Sequence, residues 1–217
     1  MKFYSYWRSS AAFRVRIALA LKGIHPEFAY VHLIKDGGQQ KLSAYKALNP
    51  AGLVPLWQDD ELTLNQSLAI LQYLEDTHPA PALLPVDHAH AALIRAFSLD
   101  IACDIHPLNN LRVLQYLTGT LGVDETQKLA WIHHWLQQGF TALEQRLVQQ
   151  TSWMGPYCFG DTPSWADICL VPQIYNALRF GLEMTAYPTL WQIYQHCMAQ
   201  DAFAKAAPEA QADAQSS

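Results

Sequence analysis

Apolar and polar positions along the chain change their period near residue 80. Before that point the apolar residues form short blocks. Lys2–Tyr6 has the length and composition of a strand, and Ser9 and Ser10 then precede Phe13, Val15, Ile17, Ala18 and Leu21 at helical spacing, which Gly23 ends. Pro26 opens a second strand-like block, Glu27–Leu33, and Asp36-Gly37-Gly38 marks a turn before a short helix from Gln40 to Leu48. Val54–Trp57 and Leu62–Leu64 flank Asp59-Asp60 as a hairpin, and Gln66–Thr77 carries Leu68, Ile70, Leu71 and Leu74 as an amphipathic helix. The order β-α-β-α-β-β-α predicts a small mixed sheet with a parallel βαβ half and an antiparallel hairpin.

Pro79, Pro81 and Pro85 mark a linker over His78–Pro85, and from Asp87 onward only long helical patterns appear. One covers Ala89–Tyr116, with Pro107 expected to kink or break it. Glu125–Gln150 sets Leu129, Ile132, Leu136, Phe140, Leu143 and Leu147 along one face, and Ser164–Phe180 and Thr189–Ala199 add two more helices. Ala206–Ser217 is small and polar and reads as a frayed, flexible tail. The expected architecture is an α/β domain over residues 1–80, an all-α domain over 87–205, and the tail over 206–217.

Composition narrows the function classes. Of 217 residues, 51% are hydrophobic and 15% charged, so the chain can bury a core and is not disordered. Lys and Arg total 14 against 19 Asp and Glu, a net charge of −5, which argues against a nucleic-acid partner. The longest apolar run near the start, Ile17–Leu21, is far short of the roughly 18 residues a membrane span needs. Arg8, Arg14 and Arg16 interrupt any signal-peptide core. Cys103, Cys158, Cys169 and Cys197 form no CxxC and read as buried free thiols of a reducing, cytoplasmic setting.

The strand–turn–helix from Tyr4 to Gly23 is where a thioredoxin-like fold keeps its reactive group, because a helix N-terminus stabilises a thiolate. A dithiol enzyme has Cys-x-x-Cys there; this chain has Ser9-Ser10-Ala11-Ala12. Any thiolate handled at this position comes from a ligand, with a serine hydroxyl donating to it, although the same serines also suit a plain helix cap. Val54-Pro55 occupies the cis-proline position of such domains, whose preceding residue offers its backbone to a peptide ligand. Gln66-Ser67, opening a helix, suits a carboxylate or an α-amino acid head group.

Taken in this order, these segments resemble the zeta class of glutathione transferases, which includes the maleylacetoacetate isomerases. The resemblance runs from Ser9-Ser10 through Arg14-Val15-Arg16-Ile17, Asp36-Gly37-Gly38-Gln39-Gln40, Asn49-Pro50, Val54-Pro55 and Gln66-Ser67. It continues in Asp104-Ile105-His106-Pro107-Leu108-Asn109-Asn110, Gly160-Asp161, Ala166-Asp167 and Leu170-Val171-Pro172-Gln173, and covers residues 2 to 205. It implies that Ser9 hydrogen-bonds the glutathione sulfur with Ser10 beside it. It also implies that Gln40, Val54, Pro55, Gln66 and Ser67 hold the tripeptide, with His106 and Asn110 contributing from the helical region. The implied activity is glutathione-dependent cis–trans isomerisation of maleylacetoacetate to fumarylacetoacetate in tyrosine and phenylalanine breakdown, by a homodimer. The alternatives are maleylpyruvate isomerisation in gentisate breakdown, a general zeta-like transferase, and a non-catalytic glutathione-binding protein. One departure stands out: the family's Ser-Ser-Cys is Ser9-Ser10-Ala11 here.

An isomerase of a cis-enol diacid needs cations for its carboxylates, and the arginine fork fits them. Arg8 and Arg179 are the candidates for this catalytic role, with Arg112 behind them; Arg14 and Arg16 read instead as salt-bridged parts of their helix. Tyr4 and Tyr6 compete with Ser9 for the thiol, and the motif that follows favours Ser9. Ser164-x-x-Asp167 reads as a capping box with no catalytic carboxylate. His88-x-His90 and His133-His134 lack completing ligands, so no metal is expected.

Overall fold

The structure is a computed structural model that describes residues 1–150 and 155–216. It divides into two compact units, Met1–Ala82 with Ala199–Ser217, and Leu83–Met198.

The first unit is built on a sheet of order β2-β1-β3-β4, from β1 (Lys2–Ser5), β2 (Glu27–Tyr30), β3 (Leu56–Gln58) and β4 (Thr63–Asn65). β1 runs parallel to β2 and antiparallel to β3, and β3 pairs antiparallel with β4, as the mixed-sheet reading requires. The period of two along each strand separates two cores. Phe3 and its partner Trp57 join Ala12, Val15 and Leu19 of α1 (Ser10–Lys22) and Ile70 and Leu74 of α3 (Ser67–Thr77) on one face. On the other face, Leu56 joins Tyr6, Val31, Val54 and Tyr45, the last from α2 (Ser43–Leu48), and Tyr4 packs against them. Gly23 ends α1 in the left-handed region, at φ 65°, and Ile24 N–H returns to Leu19 O at 2.9 Å. Asp59 organises the hairpin turn: Oδ2 accepts from Trp57 Nε1 and Tyr73 Oη, and Oδ1 from the N–H groups of Glu61 and Leu62. Burial alone would raise its pKa, but these hydrogen bonds from Trp57, Tyr73, Leu62 and Glu61 outweigh it and hold the carboxyl down at about 2.

The expected strands and helices of this unit are present, with β2 and α2 shorter than their apolar blocks. The tail is the larger correction. Residues 199–217 belong with the sheet unit, and the described part forms α9 (Asp201–Ala206) and short 3-10 turns with Phe203, Ala206, Ala207, Pro208 and Gln211 buried. Small side chains allow this segment to lie closely on α1, whose Ser10 and Ala12–Leu19 are buried all round as a result.

The second unit contains α4 (His88–Leu99), α5 (Leu111–Gly119), α6 (Glu125–Gln149), α7 (Trp165–Arg179) and α8 (Pro188–Met198). The helical stretch expected over Ala89–Tyr116 is interrupted, as Pro107 predicts, but over two successive turns. Asp100–Ile105 widens to a π turn, and His106–Asn109 tightens to a 3-10 turn before Asn110 caps α5. Gly139 of α6 admits that path: a Cβ there would lie 2.3 Å from Ile105 Cδ1. At the start of α7, fully buried Asp167 accepts from Cys158 N–H and Ser164 N–H at 2.8 Å and from Ser164 Oγ at 2.9 Å. Ser164 Oγ in turn accepts from Ala166 N–H, so this pair is the capping box and a structural element. Cys158, Cys169 and Cys197 are buried as expected, but Cys103 is exposed because it sits on the outer side of the π turn.

Candidate active site

The register of the sheet gathers the candidate residues of the first unit. Leu56 pairs with Tyr4 on one side and with Asn65 on the other, so the end of β1, the start of β3 and the end of β4 lie together. The turn bearing Ser9, the Val54-Pro55 step before the ladder begins, and Gln66-Ser67 leaving β4 all emerge there. The N-termini of α1 and α3 face the same end, and their unpaired N–H groups favour an anion or a polarised sulfur.

Ser9 is the N-cap of α1, with φ −75° and ψ 115°. Its Oγ accepts from Ala12 N–H at 3.2 Å, and its own N–H donates to Tyr6 O at 3.0 Å. Because the cap uses a lone pair, the hydroxyl hydrogen is left to donate outward, so capping and sulfur binding are compatible roles of one side chain. Ser10, the first residue of α1, is buried. Tyr4 Oη is committed to Gln58 Oε1, to which it donates at 3.2 Å, and Tyr6 is buried, its hydroxyl accepting from Arg8 Nη2 at 3.4 Å.

The Val54-Pro55 peptide is cis, the geometry expected at that position. Two side chains fix the carbonyl just before it: Tyr45 Oη donates to Leu53 O at 2.7 Å and Asn49 Nδ2 at 2.8 Å. Gln66 is exposed and sits at φ 70°, a conformation a residue with a side chain adopts at a cost of about 1–3 kcal/mol. Such cost concentrates where a chain is held for function. Ser67, the first residue of α3, is buried, and its Oγ accepts from Nη1 of Arg14 at 3.2 Å. Arg14 is itself only 2% exposed, so a guanidinium charge lies beneath the N-terminus of α3, where it adds to the helix dipole.

The family profile described as glutathione S-transferase, N-terminal domain, matches residues 8–77, and the C-terminal domain profile matches residues 136–196. A probable maleylacetoacetate isomerase of Vibrio cholerae is 53% identical over 211 residues, 97% of each chain. The holo structure of a maleylpyruvate isomerase, a bacterial zeta-class glutathione S-transferase, superposes with a TM-score of 0.94 at 45% identity, covering 98% of this chain and 99% of that one. The chain belongs to the zeta class of the glutathione S-transferase family. Another member, a maleylacetoacetate isomerase of Methylobacterium extorquens AM1 solved with malonate and glutathione bound, superposes with a TM-score of 0.92 at 40% identity, covering 97% and 98%.

The remaining candidates lie on the loop after β2, in the turn before α1 and in the helical unit. Gln40 is buried and turned inward, its Nε2 donating to Leu33 O at 3.1 Å, and the backbone of Gly38 passes so close that a Cβ there would lie 2.7 Å from it. One of its two amide hydrogens therefore ties the loop after β2, and its buried Oε1 has no hydrogen-bond partner among the described residues. Arg8 lies over the Trp7 ring at 5.0 Å. In the helical unit, Asn110 is the N-cap of α5, accepting from Arg112 N–H at 3.2 Å, and Arg112 is exposed. His106 opens the 3-10 turn and is half-buried. Arg179 is exposed on the last turn of α7, its guanidinium 4.7 Å from the Phe180 ring. His133 Nε2 pairs with Phe180 O at 2.8 Å, a structural contact.

Arg14, Asn49 and Tyr45 escaped the sequence reading as site residues. Both arginines of α1 bond within the sheet unit: Arg14 reaches Ser67, and Arg16 donates to Ser5 Oγ, Tyr6 O, Trp7 O and Ala206 O. The available signal was their place in an otherwise apolar helical run, which predicts that both guanidinium groups are buried with acceptors.

Proposed function

We propose that this family member is a glutathione-dependent cis–trans isomerase that converts maleylacetoacetate to fumarylacetoacetate in aromatic amino-acid breakdown. The observation that carries the proposal is the convergence of Ser9, Val54-Pro55 and Gln66-Ser67 at one end of the sheet, beside two helix N-termini. A carboxylate and α-amino group fit Gln66, Ser67 and the first N–H groups of α3, over the charge of Arg14. The backbone of Val54 fits a peptide strand, since it lies outside the sheet ladder. Ser9 donates its hydroxyl hydrogen to a sulfur while its oxygen stays fixed by Ala12 N–H. Bound glutathione supplies a thiolate that adds to a conjugated alkene and leaves again after rotation about the resulting single bond. For that chemistry Ser9 keeps the sulfur ionised at neutral pH, and the N-terminus of α1 favours the same charge. Arg8 and Arg179 remain the arginines proposed for the substrate carboxylates, and Ser10, Pro55, His106 and Asn110 remain proposed ligand contacts.

The zeta-class maleylpyruvate isomerase, 45% identical, favours maleylpyruvate as the second substrate reading. The same proposal makes the protein a homodimer of the cytoplasm; three of its cysteines are buried thiols, and among the described residues no helix is long and apolar enough to cross a membrane. Loss of the cis substrate's absorbance, followed for maleylacetone and maleylpyruvate with and without glutathione, tests the assignment. Glutathione-dependent turnover is expected, with the larger kcat/KM for maleylacetone. A larger value for maleylpyruvate transfers the protein to the second reading. Glutathione binding without turnover of either compound defeats both.

A further inference from the structure

The C-terminal segment reaches the turn that carries Ser9, and the contacts are specific. Asp213 Oδ2 accepts the backbone N–H of Trp7 at 2.9 Å, across 206 residues of sequence. Arg16, buried in α1, makes the second link: Nε donates to Ala206 O at 2.8 Å, Nη2 to Trp7 O at 2.9 Å, and Nη1 to Ser5 Oγ and Tyr6 O at 3.2 and 3.3 Å. Gln211 Nε2 donates to Lys205 O and Ala207 O, both at 3.0 Å, and so holds the bend that brings Asp213 back to the turn. Ser9 N–H in turn donates to Tyr6 O. Both peptide groups of Trp7 are therefore tied, N–H to the tail and C=O to Arg16, two residues before the hydroxyl that faces the ligand.

We propose that Asp213 is a positioning residue for Ser9: its carboxylate, carried back by the C-terminal segment, fixes the Trp7 peptide and sets the turn from which the Ser9 hydroxyl donates. A charged acceptor makes the stronger kind of hydrogen bond, and a catalytic donor displaced by a fraction of an ångström loses much of its effect. Oδ2 of Asp213 alone meets the Trp7 N–H, and Oδ1 is buried with no hydrogen-bond partner among the described residues. An amide at this position still offers one carbonyl oxygen in the same place, whereas a methyl group offers none. The catalytic half of this inference rests on the assignment of Ser9 above; the structural half does not.

The test uses the full chain and the variants Asp213→Ala and Asp213→Asn. Amide hydrogen exchange of the ligand-free protein reads the turn directly. In Asp213→Ala the segment from Trp7 to Phe13 is expected to exchange about tenfold faster, with α7 of the helical unit unchanged, and Asp213→Asn is expected to recover most of the protection. In the isomerase assay, Asp213→Ala is expected to lower kcat about tenfold with the KM for glutathione within about twofold, again with recovery in Asp213→Asn. Wild-type exchange at the turn in Asp213→Ala overturns the proposal. So does faster exchange spread evenly over the whole sheet unit, which marks a packing role, or faster exchange at the turn with wild-type kcat. If the wild-type protein shows no glutathione-dependent turnover, the isomerase assignment is what has failed, and the exchange arm alone decides whether Asp213 holds the turn.

Discussion

Gln66→Gly separates what the site needs from what the fold needs. Gln66 holds φ 70° as the residue before α3, is exposed, and makes no capping hydrogen bond with its side chain. Glycine removes a conformational cost of about 1–3 kcal/mol at that φ but adds about 0.5–1 kcal/mol of unfolded-chain entropy to be lost. The balance is a gain of roughly 1 kcal/mol in stability, a rise in Tm of about 2–4 °C for a chain of this size. The same change deletes an amide assigned to the glutamyl end of glutathione, which weakens binding about tenfold, the value of one hydrogen bond near 1.4 kcal/mol. Thermal unfolding read by circular dichroism gives the first quantity, and calorimetric titration with glutathione gives the second. A variant that is less stable than wild type refutes the strain argument. Unchanged affinity refutes the ligand role of the side chain.

Other parts of the structure yield similarly direct expectations. Asp167→Ala leaves Cys158 N–H, Ser164 N–H and the Ser164 hydroxyl without their buried acceptor, and is expected to cost about 3 kcal/mol; an unchanged calorimetric Tm contradicts this. The Asp59 carboxyl is held at about 2, below the roughly 4 of an unfolded chain, so its contribution is complete above about pH 4 and is lost as the pH falls through 2. Allowing for solvent screening, that contribution is about 1 kcal/mol, and urea unfolding of wild type against Asp59→Asn should show the difference between them shrinking over that window. Gly139→Ala places a methyl against Ile105 and is expected to cost about 1–3 kcal/mol and to lower activity through the π turn that leads into His106; a neutral result in both assays removes that turn from the account.

Much of the sheet unit was legible because its signals are local. Period-two strands, the serine cap of α1, the glycine that ends it and the Val54-Pro55 step are all written within a few residues of where they act. Ser9 shows the limit of that reading: cap and sulfur donor compete as interpretations of the sequence, whereas the geometry engages the oxygen in the cap and leaves the hydrogen available to a ligand. What stayed hidden depends on residues distant in the chain. The path of Asp100–Ile105 needs the missing Cβ at Gly139, and the burial of Gln40 needs the loop that folds over it. The tail looked frayed because it is small and polar; in the fold those same small residues let it lie on α1 and deliver Asp213 to Trp7. Arginine in an apolar helix was the one distant signal present in the sequence, and it pointed to burial without naming the acceptors Ser67 and Ala206.

The central claim is that Ser9 activates the sulfur of glutathione for isomerisation. The most direct test is the initial rate of cis-substrate loss against glutathione concentration, for wild type and Ser9→Ala. Losing the cap costs about 1 kcal/mol of stability, which the assay temperature must tolerate. The account predicts no turnover without glutathione, saturation with it, and a fall in kcat of about a hundredfold or more in Ser9→Ala with the glutathione KM within about threefold. Turnover that persists without glutathione, or a Ser9→Ala enzyme as fast as wild type, would contradict it.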